Sequence, residues 1–473
     1  MIVRSREFMP DTPGEPLNGK LLAGVVSEWQ QGTGRLEELR EAYENDRAIK
    51  KRKRLPGKPN NRLAHGFAKY IATMSSGYMV GKPVAYAAPE SQEKALQVIA
   101  DEYKRANVDS VDIELARYAA IYGKAVQIVY ADEEAKARVA AISPETAFVI
   151  YDDTVESKPL FGVQVVKTTD ISGDDSGYAV TVSTDAYTFE YRVGKITDIE
   201  NAVPTETTEH NFGGVPLIEV WNDENEQGDF EQVQSLIDAY DVLESDRTND
   251  TEQHVNALLV LTGATMEEDE NGRSPAQQIR QDRMLMLPNG DAHAEYLTAA
   301  LSQADVEVLK NAIKTDIHKF SMVPDLTDEN FAGNASGVAM KYKLLGLESL
   351  IKIKEPWFVE ALRERLRLFA NFMAVKGASA LDVADVTITL SRALPVNELE
   401  IAQTVTTLQG LVPDRMLISQ VPFVDDANAA LEELAAQRAE EADRNAALYG
   451  LPKATDKPDM TGDEDADDGN AAE

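Results

Sequence analysis

Apolar residues recur at helical intervals from Arg62 to Tyr78, at Leu63, Phe67, Tyr70, Ile71, Met74 and Tyr78, and the same period runs from Ala95 to Tyr122. The stretch Leu36 to Glu44 also has helical spacing. It leads into Lys50, Lys51, Arg52, Lys53 and Arg54, after which Pro56 and Pro59 break the chain. Past Gly123 the pattern changes to short runs rich in Val, Ile, Tyr and Thr: Ala125 to Tyr130, Phe161 to Thr168, Tyr178 to Ser183 and Tyr187 to Val193. These predict strands, and the turn residues between them predict antiparallel meanders, not the alternating strands and helices of a nucleotide-binding sheet.

A long helix is expected from Asp229 to about Asn256, with Phe230, Val233, Leu236, Ile237, Tyr240 and Leu243 on one stripe and a strongly polar second half. Leu258 to Leu261 and Met284 to Leu287 predict two short strands, followed by a helix from Gln303 to Phe320. Ser321 to Gly333 has a proline, several turn formers and no period, which predicts a loop. From Ser336 a helix of about forty residues would span roughly 60 Å, with Pro356 in its middle to kink it. Asp382 to Leu390 predicts a strand, Asn397 to about Ala447 shorter helices, one begun by Pro413, and the polar last residues a disordered tail.

With 473 residues the chain exceeds what one core usually serves. It has no cysteine, which removes disulfides and thiolate metal sites and fits assembly in a reducing cytoplasm. The first ten residues lack the apolar run of a signal peptide, and no segment reaches membrane-spanning length. Its 81 Asp and Glu against 47 Lys and Arg leave a formal charge of -34. That balance argues against gripping nucleic acid by its phosphates; it fits an ordinary solvated acidic surface and also a wall past which a polyanion slides, and charge alone does not separate the two.

Enzymatic signatures are missing. Gly77 to Pro83, GYMVGKP, is one residue short of a phosphate-binding loop and ends in proline, so any ATP is expected to be hydrolysed by a partner. The five histidines are scattered without an HExxH pair. Ser336 in GNASG is better placed as a helix N-cap than as a nucleophile, and Ser91 to Lys94 matches SxxK without its companion motifs. Asp152-Asp153 and Asp425-Asp426 could join a divalent-cation site only if folding brought further carboxylates near; turn and capping roles are commoner. No cofactor, metal or catalytic residue is expected.

Three stretches, in order, carry a resemblance: NNRLAHGFAKYIATMSSGYMVGKPVAY from Asn60 to Tyr86, VQSLIDAYDVLESDRTND from Val233 to Asp250, and FAGNASGVAMKYKLLGLESLIKIKE from Phe331 to Glu355. Together they resemble the portal family typified by the gene 6 protein of bacteriophage SPP1, and weaker similarity runs from about residue 30 to 445. The resemblance implies a non-enzymatic ring subunit, usually one of twelve, at one capsid vertex of the virion. Double-stranded DNA would be packaged and ejected through the ring.

The implied fold is α+β, a mainly helical portal-like fold with a strand-rich wing. In this numbering the wing would be 1–228, stem helices 229–257 and 303–320, and the clip 258–302. A tunnel loop would follow at 321–335, then the kinked helix and return strand of the wing at 336–395, a helical crown at 396–450 and the disordered acidic tail at 451–473. The implied partners are other copies of the chain, DNA, the terminase large subunit, a head-completion or adaptor protein, and the major capsid and scaffolding proteins. No membrane is among them. In the tunnel loop Met322, Val323, Leu326 and Phe331 would touch DNA or pack against neighbouring loops. Lys341, Lys343 and the run Lys50, Lys51, Arg52, Lys53 and Arg54 are the candidate phosphate contacts, or are neutralised by nearby acids.

About twelve copies would together carry about 400 negative charges, with a reach screened to about 8 to 10 Å. Sliding would then be favoured over binding. Two other classes are distinguishable by assembly state: an acidic metal-dependent hydrolase would act as a monomer or small oligomer, and a phage scaffold or adaptor would assemble without an axial channel.

Overall fold

The computed structural model describes residues 1–56, 58–254, 258–262, 293–297, 303–326, 341–392, 398–419, 421, 424 and 427–449. They divide into two units, residues 1–333 with 341–393, and residues 334–340 with 394–473.

The first unit opens with strand β1 (Ile2–Arg4) and helix α1 (Gly19–Tyr43). Helix α2 (Phe67–Val80), the short strand β2 (Ala85–Ala87) and helices α3 (Glu93–Arg105) and α4 (Val108–Tyr122) follow. The single helical period read from Ala95 to Tyr122 is thus two helices. Asn107, at φ 53°, breaks them, in a left-handed conformation that asparagine tolerates better than most residues.

Gly123 ends α4 with φ 85°, and a Cβ there would collide with the Glu226 carbonyl at 1.8 Å, so glycine is required where the helix turns into the sheets. Seven strands come next: β3 (Lys124–Ala131), β4 (Ala137–Ile142), β5 (Ala147–Asp152), β6 (Pro159–Thr169), β7 (Asp175–Ser183), β8 (Tyr187–Val193) and β9 (Glu206–Glu209). With β10 (Leu217–Trp221) they make two sheets. The larger has the order β1-β5-β6-β7-β8-β9, an antiparallel meander from β5 to β9 with β1 added in parallel; the smaller is β10-β3-β4, also antiparallel.

The larger sheet turns Phe148, Phe161, Val163, Val180, Val182 and Phe189 onto Leu22, Val25 and Val26 of α1. Each fully buried side chain of this kind contributes about 1.5 to 3 kcal/mol. Val126, Ala147, Val149, Val215 and Leu217 form a second cluster that joins the two sheets.

Helix α5 (Gln234–His254) leads to the two-stranded sheet of β11 (Leu258–Thr262) and β12 (His293–Leu297), and then to α6 (Gln303–Phe320). The strand expected at 284–287 lies outside the described residues; the partner that β11 has is β12. Helix α7 runs from Leu345 to Val375 with Pro356 inside it, and is preceded by a turn at Leu344. The expected helix start at Ser336 lies outside the described residues. Of the expected strand at 382–390 only β13 (Thr387–Thr389) forms, paired with β2 after a short 3₁₀ turn.

The second unit contains α8 (Glu398–Leu408), α9 (Asp414–Ile418), whose N-cap is Pro413, and α10 (Ala427–Tyr449). The tail expected to be disordered is outside the described residues. No helix among the described residues is long and apolar enough to cross a membrane.

Candidate functional site

The segment that leaves α6 is held by a small polar and aromatic cluster. The Tyr70 hydroxyl donates to the Pro324 carbonyl at 2.8 Å and accepts from the Leu326 N–H at 3.1 Å. His318 Nδ1 lies 3.0 Å from the Val323 carbonyl, and the rings of Phe67 and Tyr70 meet the His318 imidazole edge to face. Asp325 is paired with Lys314 at 2.7 Å. Tyr70 and Phe67 project from α2, and His318 and Lys314 from α6, so two helices fix the first residues of the loop.

Met322 takes the left-handed conformation, φ 59°, one residue past the α6 C-cap, where glycine is the usual choice. Its carbonyl comes within 3.2 Å of where a Cβ on Gly346 would stand. The Met322 side chain is 45% exposed, whereas Val323 is fully buried in its own chain. Of the four residues expected to touch DNA or pack against neighbouring loops, Val323 packs inside its own chain, with its carbonyl held by His318. Leu326 is half-buried, and Phe331 lies outside the described residues.

Lys341 is exposed and Lys343 half-buried. In the basic run, Lys51 pairs with Glu41 at 2.9 Å and Asp46 at 3.6 Å, while Arg52 and Arg54 both pair with Asp246. Lys50 and Lys53 are exposed and make no ion pair with a described residue. Three of these five cations thus already have carboxylate partners.

The polar half of α5 has a use that periodicity did not reveal. Its buried stripe continues from Ile237 and Tyr240 through Asp241, Ser245 and Asn249, all with relative exposures of 1% or less at the three polar positions. Asp241 accepts from the His65 N–H and lies 2.8 Å from His65 Nδ1; Ser245 accepts from the Leu63 N–H at 2.9 Å; Asn249 accepts from the Asn61 N–H at 2.6 Å. Buried Arg47 completes the set, 2.6 Å from Asp238 and 2.9 Å from Asp241. One face of α5 therefore satisfies an extended segment, residues 61–65, that has no sheet partner.

Two further buried pairs tie distant elements together. Lys354 of α7 meets Asp229 at 2.7 Å, and Ser75 of α2 and Asn222 also donate to that carboxylate. Arg365 of α7 meets Asp112 of α4 at 2.6 Å beside Tyr86 and Gln127. Burial pushes the Asp112 carboxyl above its usual range, opposed by Arg365.

The motifs set aside in the sequence have structural roles. Gly77 to Val80 are the last turn of α2, helix where a phosphate loop would need open backbone. Asp152 accepts from Thr154 Oγ at 2.6 Å and from the Lys158 N–H at 3.0 Å, closing the β5–β6 turn. Among the described residues no group of three or more His, Asp or Glu could hold a metal ion.

A family model for phage portal proteins of the SPP1 Gp6-like type matches residues 25–444. The chain belongs to that portal family. Two curated relatives are both named portal protein. That of Clostridium phage phiCD119 is 23% identical over 393 residues, covering 78% of this chain and 83% of the relative. That of Bacillus phage SPP1 is 25% identical over 413 residues, covering 83% and 78%. Among solved structures, a chain from the virion of a native gene transfer agent particle is similar with a TM-score of 0.42 at 10% identity, covering 89% of this chain and 94% of the other. As a portal-family chain this is a structural subunit of a phage particle and not an enzyme.

Three of the stretches that carried the resemblance contain the partners just described. Ser75 and His65 come from the first, Asp241 and Ser245 from the second, Lys354 from the third.

Proposed function

We propose that about twelve copies of this chain close into a ring at one capsid vertex, through which double-stranded DNA enters during packaging and leaves during ejection. The match to portal proteins over residues 25–444 supports this reading most. In it, the two sheets and α1 to α4 form the wing, α5 and α6 the stem, and the strand pair β11–β12 the clip, where terminase and later a head-completion protein would dock. The segment after α6 begins the tunnel loop, and α8 to α10 belong to the crown. Scaffolding and major capsid proteins would surround the wing.

Among the described residues of the loop, Met322 is the one this reading leaves exposed to touch the DNA. It keeps a bulky exposed side chain at a left-handed backbone position that costs a non-glycine residue about 1 kcal/mol or more. Such strain is retained where the side chain has work to do. Lys341 is the exposed cation that follows the loop; with Asp325 occupied by Lys314, the loop offers DNA a steric contact in place of a charged clamp.

Packaging tests the function. Procapsids built with this protein, the cognate terminase and ATP are expected to protect DNA from nuclease, and procapsids built without it to protect none. Equal protection in its absence would overturn the reading.

A further inference from the structure

In the basic run and its continuation, KKRKRLPGK from Lys50 to Lys58, Lys51, Arg52 and Arg54 have carboxylate partners, which leaves Lys50, Lys53 and Lys58 to account for. Leu55 is 70% exposed within this segment, the one large apolar side chain among its cations. Lys50, Lys53 and Lys58 are exposed around it and form no ion pair with a described residue, while Arg52 and Arg54 anchor the segment to Asp246 on α5. Arg52 and Arg54 are thus tied to α5 while Lys50, Lys53, Leu55 and Lys58 are exposed.

Helix α6 has a surface of the complementary kind. Ile317 is buried and Val306 and Ile313 are half-buried, but Val308 is 70% and Leu309 51% exposed, and Ala312 continues the same stripe. Asp316 lies along it, with no ion pair to a described residue. Both features lie at one level of the α5–α6 pair. Asp246 holds the basic segment, and the next residue, Arg247, bridges to Glu307 on α6 at 2.8 Å, immediately beside Val308.

Rotation about a ring axis preserves height along that axis, so two surfaces at the same level of an axial helix pair can meet between neighbouring copies. The segment is anchored to α5 and the stripe belongs to α6, so the two are different surfaces, as a head-to-tail contact requires.

We propose that the segment from Lys50 to Lys58 docks on the Val308–Leu309–Ala312 stripe of α6 in the adjacent copy, with Leu55 against the two apolar side chains and Lys53 or Lys58 near Asp316. The inference rests on the ring reading and assigns the basic run to a protein contact instead of DNA phosphates. Leucine against valine and leucine supplies the apolar burial, and the lysines set direction and register.

The chain contains no cysteine, so engineered pairs report the contact without background. A variant carrying both Leu55→Cys and Val308→Cys, oxidised as purified rings, is expected to give a non-reduced ladder running from dimers to the full ring. Each single-cysteine variant should give less than a tenth of that crosslinking. A second variant, Lys53→Glu with Lys58→Glu, changes only exposed residues and is expected to lower ring yield about tenfold, with partial rescue by Asp316→Lys. Rings seen by electron microscopy without a ladder would overturn this contact and leave the ring intact. Absence of rings from the unmodified protein would overturn the contact and the ring together. A ladder confined to dimers would also overturn it, because a closed two-fold contact cannot propagate round a ring. If the lysine changes reduced DNA retention while ring yield and crosslinking stayed at wild-type and zero, the phosphate reading would replace it.

Discussion

Lys354 Nζ lies 2.7 Å from Asp229 Oδ2, and both side chains are at most 2% exposed. The pair joins α7 to the residues just before α5, with Asn222 donating to the second carboxylate oxygen at 2.8 Å and Ser75 to the first. A buried charge stripped of its partner is costly, so Asp229→Ala is expected to destabilise the subunit by about 3 to 5 kcal/mol. Replacing both members, Asp229→Leu with Lys354→Met, should recover at least half of that loss. Chemical denaturation of the single and double variants checks the coupling; additive losses would contradict it.

Along α5, Ser245 holds the Leu63 amide and Asn249 the Asn61 amide. Ser245→Ala removes the side-chain acceptor of the part-buried Leu63 N–H, with an expected cost of about 1 kcal/mol. Hydrogen exchange at residues 61–65 should accelerate more than exchange within α2. Uniform acceleration would mean that the stripe is not what holds this segment.

Tyr70 makes two bonds to the segment after α6 through one hydroxyl. Tyr70→Phe keeps the ring contact with His318 and removes both, at a cost of about 1 to 2 kcal/mol. Proteolysis and hydrogen exchange are expected to rise at residues 321–326. Packaged DNA should be retained less well if this segment borders the channel, a readout that a purely local role would leave unchanged.

Helices with a regular apolar stripe were legible from the sequence, and α6 was read at its observed bounds because its half-buried positions repeat at three and four residues. The division between α3 and α4 was not, since Asn107 carries neither the proline nor the glycine that usually marks a break. Strands β1, β2 and β9 have three or four residues each, too few for an alternation to stand out, and all three sit at sheet edges. The polar stripe of α5 was visible as polarity but not as burial, because its partners are backbone amides about 180 residues earlier in the chain. The burial of Val323 was not legible for a related reason: a loop composition gives no sign that His318 holds its carbonyl.

Acid sensitivity is expected at Glu226. Burial pushes its carboxyl up, but Lys124, 2.9 Å away, and the Met1 ammonium outweigh burial and hold it down to about 2. A carboxylate lowered in the folded state stabilises the fold at pH values above its ordinary range, and that contribution is lost as pH falls from about 4.5 toward 2. Glu226→Gln should be less stable than the parent at pH 7, with the difference shrinking toward pH 2. A difference that grew on acidification would contradict the assignment.

The central claim is a ring with an axial hole, and electron microscopy of the purified protein with particle mass measured in parallel tests it most directly. The account predicts closed rings of about a dozen subunits with a hole wide enough for a DNA duplex. A compact closed oligomer with no hole would contradict it.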